Sequence, residues 1–156
     1  MSGPARSTPE SPSPRIMSLR KVAIALIALL GLELVLGVVL NVSVNLPTGA
    51  SVATEFAASW VLDLHVVVAL LIIGLSGHAV ATSGREPERR PRVAAVLTLL
   101  SALVATAAGW EFVFNGQSMA AAGVMTLGFL GVLVGAILMH VYGSRGAPGG
   151  TAVAPS

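Results

Sequence analysis

Four long apolar segments constrain the fold of this chain more than any other feature of its sequence. They run over residues 22–42, 60–82, 93–114 and 119–142. Because about 20 apolar residues cross the hydrocarbon core of a bilayer as a helix, each segment predicts one transmembrane helix. Short connections join antiparallel neighbours in helix bundles. We therefore predict an all-α protein, a four-helix transmembrane bundle with up-down topology.

The composition supports a membrane protein and argues against several other classes. Hydrophobic residues make up 54% of the 156 residues and charged residues only 10%, whereas an average soluble domain has about 25% charged residues. The net charge is +2, and the basic residues flank the apolar segments without forming a patch for nucleic acid. The absence of cysteine excludes disulfides, thiolate metal sites and covalent c-type haem attachment.

The two ends of the chain differ in composition from the membrane domain, which we predict at residues 19–143. Residues 1–18 contain repeated Ser-Pro and Thr-Pro pairs and almost no apolar side chains, so we predict a disordered tail there. Met17 would also serve as a start of translation. Residues 144–156 are rich in Gly, Pro and Ala and form a second predicted disordered tail.

The distribution of Lys and Arg predicts the orientation of the chain in the membrane. Basic residues lie within 15–21 and 85–92 and at Arg145, whereas the segments 43–59 and 115–118 contain none. Since Lys and Arg accumulate in cytoplasmic loops, both termini and the loop after the second span are predicted to be cytoplasmic. We expect a multi-pass protein in the lipid bilayer of a bacterial cell membrane.

Small residues predict how two of the spans pack. In a bilayer, small side chains let helix backbones approach closely. The fourth span presents Gly128, Gly131 and Gly135 on one face, and the third span presents a row of small residues at helical spacing. The members of that row are Ala94, Thr98, Ala102 and Ala105. We expect the two faces to meet, or one of them to bind a helix of another membrane protein or of a second copy.

Glu33 places a carboxyl group near the middle of the first span. A charged group there costs about 2.5–3.5 kcal/mol on insertion scales, so Glu33 should face the bundle and be protonated or paired. A signal peptide is the alternative for this segment, but its apolar core has only about 7–15 residues, so we interpret the segment as a retained helix. With Asn41 and Glu111, Glu33 forms our set of predicted buried polar residues. Its side chain is interpreted as a structural hydrogen-bonding group or as a proton or ligand contact.

His65, in the second span, is the candidate cofactor ligand, because neutral imidazole is a common ligand of haem iron. The second axial ligand would be Met119, Met125 or the His65 of a second copy. Counted from the ends of the spans, Glu33 lies deeper in the membrane than His65 by roughly 6–8 Å. The two side chains therefore need not touch.

The other histidines and acidic residues give weaker signals. His78 lies about 140° around the helix from His65, which argues against two stacked haems, and His140 is interpreted as an interfacial side chain. Glu55 and Asp63 should lie with His65 in the outer third of the protein. No tight ligand spacing joins them, so we predict no metal site.

Residues 30–75 resemble part of the haem A synthase family, membrane proteins that convert haem O to haem A. In that family, a helix carries a Gln and then a Leu-Gly pair, a loop carries Leu-Pro, and the next helix carries a haem-ligating His. Here Glu33 stands in place of the Gln, Leu36-Gly37 and Leu46-Pro47 match the two pairs, and His65 matches the ligand. The resemblance implies a haem-binding bundle. The whole chain also resembles small four-span actinobacterial integral membrane proteins of unassigned function.

Three functions follow as hypotheses from these observations. The first, which we favour, is a partner-binding or assembly subunit of the membrane, without a catalytic site. The second is a protein that binds or handles haem b, with His65 as axial ligand. The third is a small proton-coupled transporter that uses Glu33, although transporter cores usually contain duplicated halves and this chain shows no internal repeat.

Overall fold

The computed structural model describes residues 14–43, 59–84, 88–114 and 118–145. These residues form long helices: α1 (Pro14–Ser43), α2 (Trp60–Ser83), α3 (Arg89–Phe114) and α4 (Met119–Arg145). All four helices are long and apolar enough to cross a membrane. The predictions of an all-α protein with four apolar membrane-spanning helices are confirmed at this level.

The helix ends differ from the predicted ones where proline is involved. Helix α1 begins at Pro14, so residues 14–18 are helical and not disordered as predicted, whereas residues 1–13 lie outside the described part. Helix α3 begins at Arg89, whereas the third span was predicted to begin at residue 93. Pro14 and Pro91 each lie in the first turn of a helix. A backbone N–H in the first turn has no acceptor within the helix, so a proline there removes no intrahelical hydrogen bond.

Serine side chains cap the starts of two helices. The hydroxyl of Ser59 accepts a hydrogen bond from the backbone N–H of Val61 at 3.3 Å, at the start of α2. The hydroxyl of Ser118 accepts one from the N–H of Ala121 at 3.3 Å, at the start of α4. Each cap satisfies an N–H group that the helix itself leaves without an acceptor.

Each helix packs mainly against its neighbours in the chain, and α1 also packs against α4. The contact between α3 and α4 is the most extensive. A Cβ atom added at Gly128 would lie 2.8 Å from the Cβ of Ala105, and one added at Gly135 would lie 3.1 Å from the carbonyl oxygen of Ala94. Because the contact partner moves back along α3 as the chain advances along α4, these two helices are antiparallel. Gly128 and Gly135 thus meet members of the predicted row on α3, whereas the neighbour of Gly131 is Ser101, which that row did not include.

The contact between α3 and α4 also decides whether the small-residue face of α4 is available to a partner protein. Gly131 lies against Ser101 of α3, and an added Cβ atom would lie 2.8 Å from the Cβ of Ser101. The face formed by Gly128, Gly131 and Gly135 is therefore covered by α3 of the same chain. A helix of another protein would have to bind elsewhere on the surface.

The best-packed part of the core lies in one half of each helix. The largest fully buried side chains, each less than 2% exposed, are Leu26, Ser76, Ser83, Thr98, Val132 and Met139. They come from residues 19–30, 72–83, 91–102 and 132–143 of the four helices. The other half of each helix is packed less tightly and surrounds a cavity.

Candidate ligand-binding site

A cavity of about 460 Å³ lies between the four helices. Its walls are formed by residues within 30–41 of α1, 62–72 of α2, 102–114 of α3 and 122–132 of α4. Most of the lining is apolar. Leu34, Val38 and Leu70 line it and are nevertheless more than half exposed on the outer surface of the helices. The cavity is therefore open at its side to whatever surrounds the bundle.

Glu33 of α1 and His65 of α2 meet at the wall of this cavity. Glu33 Oε1 lies 3.2 Å from His65 Nδ1, and the side chains are 13% and 21% exposed, respectively. The depth estimate from the sequence, by which the two side chains need not touch, did not predict this contact. It compared the depths of two backbones, whereas the two long side chains together bridge the offset between them.

Gly37 helps to make room for the histidine ring. A Cβ atom added at Gly37 would lie 3.9 Å from His65 Cε1, and no other neighbouring atom would lie within 4 Å of it. The imidazole thus rests over the part of α1 that has no side chain, one helical turn from Glu33. The position of His65 relative to Gly37 depends on the offset of α1 and α2 along their axes, and the predicted ends of the two helices do not determine that offset.

The contact leaves hydrogen-bonding capacity unused. The two atoms are close enough to form an ion pair, but Nδ1 has no hydrogen bond of good geometry, and Glu33 Oε2 is buried with no hydrogen-bond partner in the described part of the chain. One proton is enough for a hydrogen bond between these two atoms: either Nδ1–H donates to a carboxylate, or a protonated carboxyl group donates to Nδ1. Buried polar atoms without partners are rare, and one explanation is a ligand that occupies the site.

The two candidate methionines lie in different places. Met125 lines the cavity, and a Cβ atom added at Gly109 of α3 would lie 3.5 Å from its sulfur atom. Met119 is 86% exposed at the start of α4 and does not line the cavity. The structure therefore brings Met125, but not Met119, to the cavity that contains His65.

Aromatic rings line one end of the cavity. Trp110 and Phe114 lie with their ring centroids 4.5 Å apart and their planes at 44°. Phe112 lines the same end, and Phe129 lines the cavity farther inside, from α4. Trp110 is itself 58% exposed, and Trp60 is 74% exposed and does not line the cavity. Neither Trp110 nor Phe114 was among the site residues predicted from the sequence. The four-residue spacing of Trp110 and Phe114, which places both rings on one helix face, was the signal available.

Two of the residues predicted to be buried polar groups are exposed. Asn41 lines the mouth of the cavity but is exposed, because it lies within the last turn of α1. Glu111 is exposed and does not line the cavity. Only Glu33 of that set is half-buried, so the prediction of burial is wrong for Asn41 and Glu111.

The remaining candidates do not join the site. His78 and Asp63 are exposed, His140 is half-buried, and none of the three lines the cavity. Glu55 lies outside the described residues. Within the described ranges, no group of three or more His, Asp or Glu side chains could hold a metal ion.

Comparisons of the chain with protein-family models, curated proteins and solved structures found no match. The functional assignment therefore depends on the geometry of the cavity.

Proposed function

We propose that this protein is a multi-pass protein of a bacterial cell membrane that binds a lipophilic ligand inside its helix bundle. The observation that carries the proposal is the contact of Glu33 Oε1 with His65 Nδ1, at 3.2 Å, on the wall of an apolar cavity. An ionisable pair within membrane-spanning segments is costly and is a functional site by default. A cavity of about 460 Å³ is also within the range of roughly 300–1,000 Å³ that small-molecule sites occupy.

We further propose an up-down topology with both termini in the cytoplasm. The cavity is lined by the C-terminal halves of α1 and α3 and the N-terminal halves of α2 and α4, which supports alternating helix directions. Every Lys and Arg near a span lies at the opposite ends of these helices. By the positive-inside rule, the cavity then lies in the outer half of the membrane.

Native mass spectrometry of the protein purified in a mild detergent tests this function. We expect a lipophilic small molecule to remain bound to the wild type and to Gly37→Ala, because an added Cβ at this position meets only His65 Cε1 at 3.9 Å. Gly37→Leu should lack it, because the larger side chain would extend into the cavity. A wild-type protein that carries no small molecule, and takes none up from added lipophiles, would contradict the proposal.

Haem b is a second candidate ligand, favoured by a specific observation. His65 and Met125 line the same cavity, and Glu33 holds Nδ1 of the imidazole, which leaves Nε2 as the nitrogen for an axial bond. Carboxylates beside a ligating imidazole commonly orient it in this way. The propionates fit less well, because no Lys or Arg occurs between Lys21 and Arg85 or between Arg92 and Arg145. This is the reason that haem takes second place.

An absorption spectrum after haem supplementation tests the haem candidate. If haem binds, we expect a Soret band that is lost in His65→Ala and shifted in Met125→Leu. Met119→Leu is the matched control, since Met119 is outside the cavity. Either no band at all, or a band that none of these variants changes, would exclude His65 as a haem ligand.

The partner-binding or assembly role and the proton-coupled transporter remain predictions from the sequence. The partner-binding role depended on the face formed by Gly128, Gly131 and Gly135, and α3 covers this face. For the second, Glu33 is paired with His65 at 3.2 Å, and no described feature provides a path for a substrate. Ligand binding in the cavity accounts for more of the observed contacts than either.

A further inference from the structure

We propose that the ligand of the cavity is a prenylquinone-type lipid: an uncharged, flat ring that carries carbonyl oxygens, with a hydrocarbon tail. This inference rests on the proposed function, because it names the ligand class of the same site. Four observations lead to it: the polar pair, the missing positive charge, the aromatic end and the open side of the cavity.

The polar pair favours a ligand with a hydrogen-bond acceptor. Glu33 Oε1 and His65 Nδ1 lie 3.2 Å apart. The neutral form of the pair carries two protons, so that one N–H or O–H remains for a ligand even when the other proton lies between the two residues. The hydroxyl of Thr106, which also lines the cavity, already donates to the carbonyl oxygen of Ala102 at 2.9 Å. The hydroxyl of Thr126 likewise donates to the carbonyl oxygen of Ala122 at 2.9 Å. The donors that remain on the lining are the Glu33–His65 pair, the Asn41 amide and the Trp110 indole N–H, and a carbonyl oxygen is a suitable acceptor for each of them.

The charge distribution favours an uncharged ligand. Among the described residues that line the cavity, Glu33 and His65 can carry a charge, and none is Lys or Arg. A fatty acid, a phospholipid headgroup or another anion would enter an apolar site with no cation to offset its loss of hydration. An uncharged carbonyl compound avoids this penalty.

The shape of the lining favours a flat ring with a tail. Trp110, Phe112 and Phe114, in the last turns of α3, line one end of the cavity, and Phe129 of α4 lines it farther inside. A planar ring packs well against aromatic side chains. At the open side, Leu34, Val38 and Leu70 continue from the cavity onto the exposed apolar surface of the helices. A hydrocarbon tail can leave the cavity along these side chains and remain in the lipid.

The chain contains its own reporter for such a ligand. It has two tryptophans, of which Trp110 lines the cavity and Trp60 does not. In a Trp60→Phe background, Trp110 is the only indole, and quinones quench indole fluorescence on close approach. The probe is menadione, a naphthoquinone without a tail, added to protein in lipid nanodiscs. The competitor is 1,4-dimethylnaphthalene, which has a similar ring system and methyl groups in place of the carbonyl oxygens.

We expect menadione to quench Trp110 saturably, with dimethylnaphthalene competing at least about tenfold more weakly, the effect of one lost hydrogen bond. His65→Phe keeps a ring but removes both nitrogens, and should weaken menadione binding by about tenfold for the same reason. Gly37→Leu should weaken it at least as much, whereas Gly37→Ala should bind like the background protein. If His65→Phe does not fold, the two Gly37 variants and the competitor still decide the result.

Two outcomes would overturn the inference, and they are distinguishable. Equal competition by dimethylnaphthalene, with no loss in His65→Phe, would mean that the cavity binds lipophiles without recognising carbonyl oxygens, which leaves the proposed function intact. Quenching that stays linear with menadione concentration in every protein, with no competition, would contradict both the inference and the proposed function.

Discussion

Gly128 of α4 packs directly on Ala105 of α3: a Cβ atom added at Gly128 would lie 2.8 Å from the Cβ of Ala105 and 2.9 Å from its backbone nitrogen. This contact joins the two most extensively packed helices of the protein. It also holds in place the part of α3 that precedes the aromatic end of the cavity. The packing of small residues and the formation of the site are thus linked through one helix.

The first prediction concerns this contact. Gly128→Ala should lower the free energy of unfolding by about 1–3 kcal/mol, the usual effect of overpacking, because the nearest α3 atoms include backbone that cannot rotate away. Gly123→Ala is the matched control on the same helix, since nothing lies within 4 Å of its added Cβ. Unfolding of both variants by SDS titration in mixed micelles measures the difference. Equal stability of the two variants would contradict the close α3–α4 approach.

The second prediction concerns the coupling of Glu33 and His65. In a double-mutant cycle of Glu33→Gln and His65→Phe, the two effects on stability should be non-additive by about 0.6 kcal/mol or more, the average for polar contacts between membrane helices. A cycle of Glu33→Gln with Thr82→Val provides the control, because Thr82 bonds within its own helix and does not line the cavity. Additive effects in the first cycle would show that the contact contributes nothing.

The third prediction concerns topology. The chain has no cysteine, so single cysteines can be introduced without removing any. Met119→Cys, at a position 86% exposed at the start of α4, should react with a membrane-impermeant maleimide in intact cells. Glu88→Cys, just before α3, should react only after the membrane is permeabilised. The reverse pattern would contradict the positive-inside assignment and place the cavity in the cytoplasmic half.

The fourth prediction separates stability from ligand binding. In ligand-free protein, Gly37→Leu should be at least as stable as the wild type, because it fills apolar space and replaces a helical glycine. Substitutions of these kinds raise the free energy of unfolding by up to about 2 kcal/mol. The same variant should no longer be stabilised by added ligand. The measurement is the melting temperature with and without menadione, with Gly37→Ala as control. A destabilised Gly37→Leu would mean that the space beside His65 is smaller than the structure indicates.

The sequence by itself determined the four membrane-spanning helices and the pairing of α3 with α4. Both depend on local information: the length of an apolar run, and the spacing of small residues along a helix. The proline-containing helix starts were misjudged. The third span was predicted to begin at residue 93, but α3 begins at Arg89, because Pro91 in the first turn removes no intrahelical hydrogen bond.

Only the tertiary structure decided the candidate site. The sequence identified Glu33 and His65 separately, but their contact depends on how α1 and α2 are staggered and on the space that Gly37 leaves for the imidazole ring. Likewise, Met125 and Met119 differ by less than two helical turns in the chain, yet only Met125 faces the cavity. Helical periodicity determines which residues share a face of one helix. The rotation and offset of each helix relative to the others come from packing between helices, and these decide which side chains meet.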